Sequence, residues 1–564
     1  MLRSMRSVLA GVVLVPLVAA GLGACASAPK PASTKSEATA SGARLYDGYG
    51  GYHRAITTQS AEAQRWFDQG LQLLYGFNHD EAIRSFQRAA ELDPSCGMAW
   101  WGVAYGNGLH INKPEMTEAA SKAGFDAAQE ALKRVDGAAP VEQALIRAVA
   151  QRYAWPAPAD RKPLDEAYAD AMAAAWKAFP KDADVGALYA EALMDLQPWD
   201  YWTLAGEPKG RALLIVAVLE NVIALDPRHP GGNHFYIHAV EASKSPERAV
   251  AASERLAQLV PGSGHLVHMP SHIWIRTGRY ADAADTNARA IEADRAYFAV
   301  APPPDFYSLY FAHNIHFLAY ATMMEGRFEP ALEAARTLER EVPPQFVEEH
   351  TKVADGLMPV ALHVLIRFGK WQAILDEPAP SDFRLVSRSF RHYARAVALS
   401  NLGRAAEARA ELAELDALAS QIDATWSVGI NQAPYVLKIA RAVAEGEVLF
   451  GEGRREEAFA SLRAAVRLED ELVYDEPPGW MQPARHALGA LLVVDGRAEE
   501  AERVYRADLE RHPANGWSLT GLRAALAQLG RGEDAAALDA QVASAWARSD
   551  APPTVSCYCA LRGE

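Results

Sequence analysis

Residues 63–96 read AQRWFDQGLQLLYGFNHDEAIRSFQRAAELDPSC, and this stretch decides the fold. Counting Ala63 as position 1, Trp66 stands at 4, Gly70 at 8, Ala82 at 20, Phe86 at 24, Ala89 at 27 and Pro94 at 32. Small residues at 8, 20 and 27 let two helices approach closely, and bulky ones at 4 and 24 fill the space between them. Pro94 stops the second helix, because it has no N–H to donate and its ring blocks the preceding turn. The spacing predicts a helix, a tight turn and a second helix packed back on the first.

The pattern returns more loosely along the chain. Gly278 is followed by Tyr280 and Ala283, and Gly326 by Ala331 and Pro343. Gly403 precedes Ala408; Gly453 precedes Ala458 and Ala465; Gly496 precedes Ala501, Tyr505 and Pro513; Gly530 precedes Ala535. An arginine follows each of these glycines, which stand where a first helix ends in a left-handed cap. The pattern resembles the tetratricopeptide (TPR) repeat, a helix–turn–helix unit of about 34 residues. The resemblance runs from about residue 56 onward and is weakest between 110 and 230, where 154–163 and 197–210 look like insertions. It implies an all-α solenoid, a right-handed superhelix in which each unit buries its apolar face against its neighbours. It also implies binding and assembly with a protein or peptide partner. Three regions are expected: N-terminal repeats with insertions over 56–230, His-rich repeats over 231–375, and C-terminal repeats with a tail over 376–564. A chain that is 50% hydrophobic, without alternating strand-like runs, agrees with helices throughout.

The first residues carry an address. Arg3 and Arg6 precede an apolar run ending in Leu22-Gly23-Ala24-Cys25. Short basic-then-apolar segments of this kind are cleaved signals rather than membrane spans. The ending resembles that of bacterial lipoproteins, which implies a signal over 1–24, cleavage before Cys25 and lipidation of its thiol. Ala26 after the cysteine implies sorting to the outer membrane, with the body facing the periplasm. Residues 26–45, rich in Ser, Ala, Pro, Lys and Thr, read as a flexible tether, and the whole of 25–55 as lipidated cysteine and linker. Membrane contact is expected through the lipid alone. A formal charge of −15, or −17 once Arg3 and Arg6 are removed, repels phosphate backbones, so nucleic acid is not an expected partner.

Nine of the sixteen histidines lie between His234 and His363, and eight of them, all but His350, share one register. In TPR proteins, positions 2, 5, 9 and 12 of each first helix line the concave groove. Anchoring Pro261 at 32 puts His234 at 5, His238 at 9 and Glu241 at 12. Gly278 at 15 puts His265 at 2, His268 at 5 and His272 at 9. Gly326 puts His313 at 2, His316 at 5 and Tyr320 at 9, and Gly369 puts His363 at 9. Residues four apart share a helix face, and adjacent helices lie about 8–10 Å apart, so these rings can converge. Zinc and copper take neutral imidazole, and Glu241 suits either a ligand or an orienting carboxylate. The same cluster is also compatible with a groove for a polar ligand or acidic peptide, or with a purely structural network beside a protein-binding surface. Histidines outside the register (His53, His79, His110, His229, His350, His392, His486 and His512) read as core or surface residues.

Other signals are weaker. Trp199 and Trp202, in the second insertion, suit the wall of a pocket, and Asn233, after two glycines, suits a helix cap at the groove. Cys96 reads as a buried apolar residue, whereas Cys557 and Cys559 fit a metal clip, a bridge or an inert tail. The chain lacks a phosphate loop, a Gly-x-Ser-x-Gly elbow and a His-Glu-x-x-His pair, so no nucleophile stands out. An enzyme, if this is one, would be a hydrolase whose metal activates water, with Glu241 as base. The favoured reading is an envelope-anchored scaffold that binds zinc, copper or another polar ligand.

Overall fold

The computed structural model describes residues 42–301 and 306–561. The expected signal, Cys25 and the linker up to residue 41 lie outside the described residues. Among these, no helix is long and apolar enough to cross a membrane. The linker expected to extend to residue 55 is already packed from Ala43, which is fully buried. Gln69 explains this: its amide donates to the Arg44 carbonyl (2.8 Å) and accepts from the Tyr46 N–H (2.8 Å).

The architecture is an all-α solenoid of TPR-like helix–turn–helix units. Ala61–Tyr75 pairs with His79–Leu92, Pro230–Val240 with Val250–Leu259, and Ser308–Met324 with Phe328–Glu341. Gly278 ends a first helix at φ 77°, letting the Arg279 N–H reach back to the Trp274 carbonyl at 2.7 Å. Only glycine adopts that conformation without strain. The β-structure among the described residues is a two-residue antiparallel hairpin, Ser427–Val428 with Asn431–Gln432, and two isolated bridges, His110 with Lys113 and Trp202 with Pro208.

The small-residue rule is visible in the packing. A Cβ on Gly70 would lie 2.7 Å from the Phe86 ring, and one on Gly102 only 2.4 Å from its other side. Phe86 is thus clamped between two helices, and Tyr505 is clamped likewise between Gly489 and Gly521. Gly102→Ala is expected to destabilise the fold by about 1–3 kcal/mol through overpacking. Gly137→Ala, where a Cβ meets nothing within 4 Å, should be near neutral. Chemical denaturation of both variants checks this; equal midpoints would refute the clamp.

The C-terminal repeats fold back on the histidine-bearing ones. The Trp517 indole donates to the Met323 carbonyl (3.1 Å), and Arg548 grips Asp285 through two bonds (2.8 and 3.0 Å). Residues 42–561 accordingly lie within one compact unit. This closure sets the surroundings of the histidines.

Candidate metal centre

Each histidine is placed by ordinary helix geometry. His234 and His238 stand one turn apart on Pro230–Val240. His265 and His268 lie on Gly264–His268, and His272 on Pro270–Arg276. Pro270 is the first residue of its short helix, where its missing N–H costs little. Without an N–H it cannot continue the ladder, and the His272 N–H bonds to Met269 (3.2 Å) in a tighter step. The His268 and His272 rings therefore meet. His313 approaches from Ser308–Met324, its ring centroid 4.7 Å from that of His268.

Two sets of three imidazoles result: His234, His238 and His265, and His268, His272 and His313, each offering ligand atoms within 4.8 Å of one another. The second set shows the sharper geometry. His268 Nδ1 lies 2.7 Å from Asn287 Oδ1, and the Asn287 amide nitrogen donates to the Ala283 carbonyl and Ser271 Oγ. That orientation of Asn287 forces His268 Nδ1 to be the donor, so the lone pair of the neutral ring is on Nε2. His272 Nδ1 faces Glu476 Oε2 at 2.8 Å, with Glu241 Oε2 3.0 Å from the same nitrogen. The two Nε2 atoms stand 2.9 Å apart. With ionised carboxylates their lone pairs confront each other, a repulsion that either a metal ion or a shared proton between them relieves. Two nitrogens bound to one tetrahedral zinc at ~2.0–2.1 Å lie about 3.3 Å apart, so the rings would need to separate by only about 0.4 Å to hold one.

Electrostatics follow from enclosure. Burial, reinforced by neighbouring rings, holds the His268 and His313 pKa values well below the ordinary imidazole value, so both rings stay neutral. Burial pushes the Glu241 and Glu476 carboxyls upward, a shift a bound cation would reverse. Glu241 spans both sets: its Oε1 accepts from His238 Nδ1 at 3.0 Å, while its Oε2 is the atom beside His272.

The histidines line a largely buried chamber, not the open concave groove expected, with His313 still partly exposed beside a small cavity. His234 and His268 are completely buried. The tryptophans of the insertion pack against the histidine-bearing helices. Trp199 sets its ring edge-on to His238 at 5.0 Å and donates to the Ile111 carbonyl, while Trp202 donates to the Ala239 carbonyl. The loop carrying Glu476 closes another side. Trp199 (φ 62°) and Phe77 (φ 56°) hold left-handed backbones, a strain of about 1–3 kcal/mol each. Both press on the chamber, Phe77 lying 4.7 Å from His234.

Other expected residues fall elsewhere. His316 and His363 are outside both sets; with His313 and Glu476 they line a small cavity of about 50 Å³ leading to the second set. His316 points there because it is only three residues beyond His313, on an adjacent strip of the same helix, and His363 receives Gln482 at its carbonyl (2.8 Å). Asn233 neither caps nor lines the site: it is buried, and its amide bonds back to Pro227 and His229. His229 caps that helix instead, accepting from the Gly232 N–H at 2.8 Å. The preceding glycines serve close packing rather than a turn, since a Cβ on Gly231 would meet the Tyr75 ring at 2.4 Å. Tyr320 borders a larger cavity of about 540 Å³ with Trp199, Trp202, Arg276 and Glu476. Cys557 and Cys559 are joined in a disulfide, which removes them as thiolate ligands, and Cys96 is free and buried as expected.

Sequence reasoning missed Glu476 and Asn287, the groups that fix the ring tautomers. His79 and His110, read as core or surface residues, are buried; His110 stacks on Phe77 at 4.4 Å, and His79 lies tilted against His110 at 4.5 Å. No spacing signal could reveal Glu476, which lies 204 residues from His272.

No family model matches the chain, and no curated protein matches it. Among solved structures it is similar to human IFIT1, seen as a dimer with m7Gppp-AAAA, at 13% identity over 87% of this chain and 91% of that one, TM-score 0.31. It is similar also to yeast Tom70 at 11% identity, over 86% of this chain and 90% of that one, TM-score 0.29. A third likeness is to the Cut9–Hcn1 assembly of APC/C, at 12% identity over 87% of this chain and 76% of that one, TM-score 0.29.

Proposed function

We propose that this protein is a helical-repeat scaffold, anchored in the cell envelope through Cys25, that holds zinc or copper at His268, His272 and His313. The observation that carries this reading is the 2.9 Å contact between two imidazole Nε2 atoms whose Nδ1 atoms face oxygen partners. A carboxylate or amide oxygen behind each ligating ring is the usual support of a bound metal, because it fixes the tautomer and raises ligand basicity. His313 supplies a third nitrogen, and the small cavity beside it has room for a water, which needs only ~10–15 Å³. Three histidines with an open fourth position could also activate that water; hydrolysis that depends on metal would show it.

The competing arrangement places a proton, delivered by a protonated Glu476, between the two rings. Metal analysis of the purified full chain separates them. Zinc or copper bound stoichiometrically, removed by chelator and absent from a His268→Ala/His272→Ala variant, is the expected result. Protein that stays metal-free and shows no affinity in titration would establish the proton-linked network and overturn the proposal.

A further inference from the structure

His234, His238 and His265 form a second cluster beside the first: His238 is 5.9 Å from His272, and His265 is 6.1 Å from His268, centroid to centroid. We infer that the chamber binds two divalent transition-metal ions, the second at His234, His238 and His265, with Glu241 linking the two ligand sets. This inference rests on the metal reading above and extends it.

The second cluster shows the chemistry of a site rather than of a finished hydrogen-bond network. His234 Nδ1 takes the Tyr75 carbonyl at 2.7 Å, so it is the donor and Nε2 carries the lone pair. His265 Nε2 lies 3.2 Å from that lone pair. His238 donates from Nδ1 to Glu241, which leaves its Nε2 as an acceptor, and that buried atom has no hydrogen-bond partner. His265 Nδ1 is also buried without one. An unsatisfied buried nitrogen is costly, and a metal ion held by the Nε2 atoms of the three rings would account for that of His238.

Glu241 makes the two positions interdependent. One oxygen orients His238 of the second cluster, and the other lies beside His272 of the first. A single anionic carboxylate thereby increases the basicity of one ligand in each set and offsets part of the charge of two cations. Removing it should weaken both ions together, which a carboxylate serving one site would not do.

The test is zinc stoichiometry of the full chain, read by native mass spectrometry after reconstitution. Two zinc ions per chain are expected, falling to one in His238→Ala/His265→Ala, while Glu241→Ala loosens both. Cobalt titration of the unaltered protein supplies a readout independent of variant folding: the visible absorption should saturate at two equivalents. One equivalent, or a zinc content unchanged in the His238→Ala/His265→Ala variant, would overturn the second ion and leave the first intact. Zero equivalents would instead overturn the underlying metal reading.

Discussion

His272→Ala should abolish zinc binding at the His268 cluster, and Glu476→Gln should weaken it by about ten- to a hundred-fold. The two substitutions separate ligation from orientation. Alanine at 272 removes a nitrogen donor and leaves His268 and His313, too few for tight binding. Glutamine at 476 preserves size and an accepting oxygen but loses the charge that draws on His272 Nδ1 at 2.8 Å. The ligating Nε2 becomes less basic while the ring keeps its place. Competition with a chromophoric chelator near neutral pH measures both constants. Wild-type affinity in His272→Ala would eliminate the cluster as the site, and wild-type affinity in Glu476→Gln would show that the buried carboxylate contributes nothing to it.

The metal-free protein should lose stability on mild acidification. Burial pushes His79 and His316 down to about 4 and His363 to about 3, against about 6.5 in the unfolded chain. With folded values below unfolded ones, the unfolded chain takes up protons that the folded one refuses. Their stabilisation is complete above pH 6.5 and declines as pH falls from there toward 4. Each group costs up to about 1.4 kcal/mol per pH unit in that window. Asp294 acts oppositely: burial raises it to about 7, so its contribution declines as pH rises from about 4 to 7. Burial raises Asp195 and Asp475 to about 7 and Glu241, Glu469 and Glu476 to about 8, so these act with Asp294 and offset part of the loss due to the histidines. The chamber histidines shift in the same direction as His79 and deepen the loss. Thermal unfolding of chelator-treated protein from pH 7 to 5 should show the midpoint falling throughout. Saturating zinc should restore it near neutrality, but less at pH 5, where protons compete for the ligands. A midpoint constant across that range would contradict the burial of these rings.

Much of the scaffold was readable from residue order, because helix–turn–helix units are local. Trp66, Gly70, Ala82, Phe86 and Ala89 occupy the packing positions their spacing implied, and Gly278 ends its helix as its place after an apolar stretch suggested. Six of the eight registered histidines converge, since their approach depends only on helix period and on the stacking of successive units. The errors came where contacts cross the chain. Asn233 was assigned a cap that His229 makes, because the helix begins earlier than a Gly-Gly pair suggests. His79 and His110 are core residues, as their place outside the register implied, and Phe77 stands between His110 and His234.

Local sequence alone determined that this chain is a stack of helical pairs with imidazoles repeated along one side. Those features depend on contacts within about forty residues, and spacing encodes them directly. Tertiary closure alone decided that the side is an enclosed chamber and not an open groove. Glu476 reaches His272 only because the C-terminal repeats return over the earlier ones, and Trp199 covers His238 only through the fold of an irregular insertion. Such long-range closure leaves no periodic mark in the sequence, while it sets the dielectric, the tautomers and the solvent access on which metal binding depends.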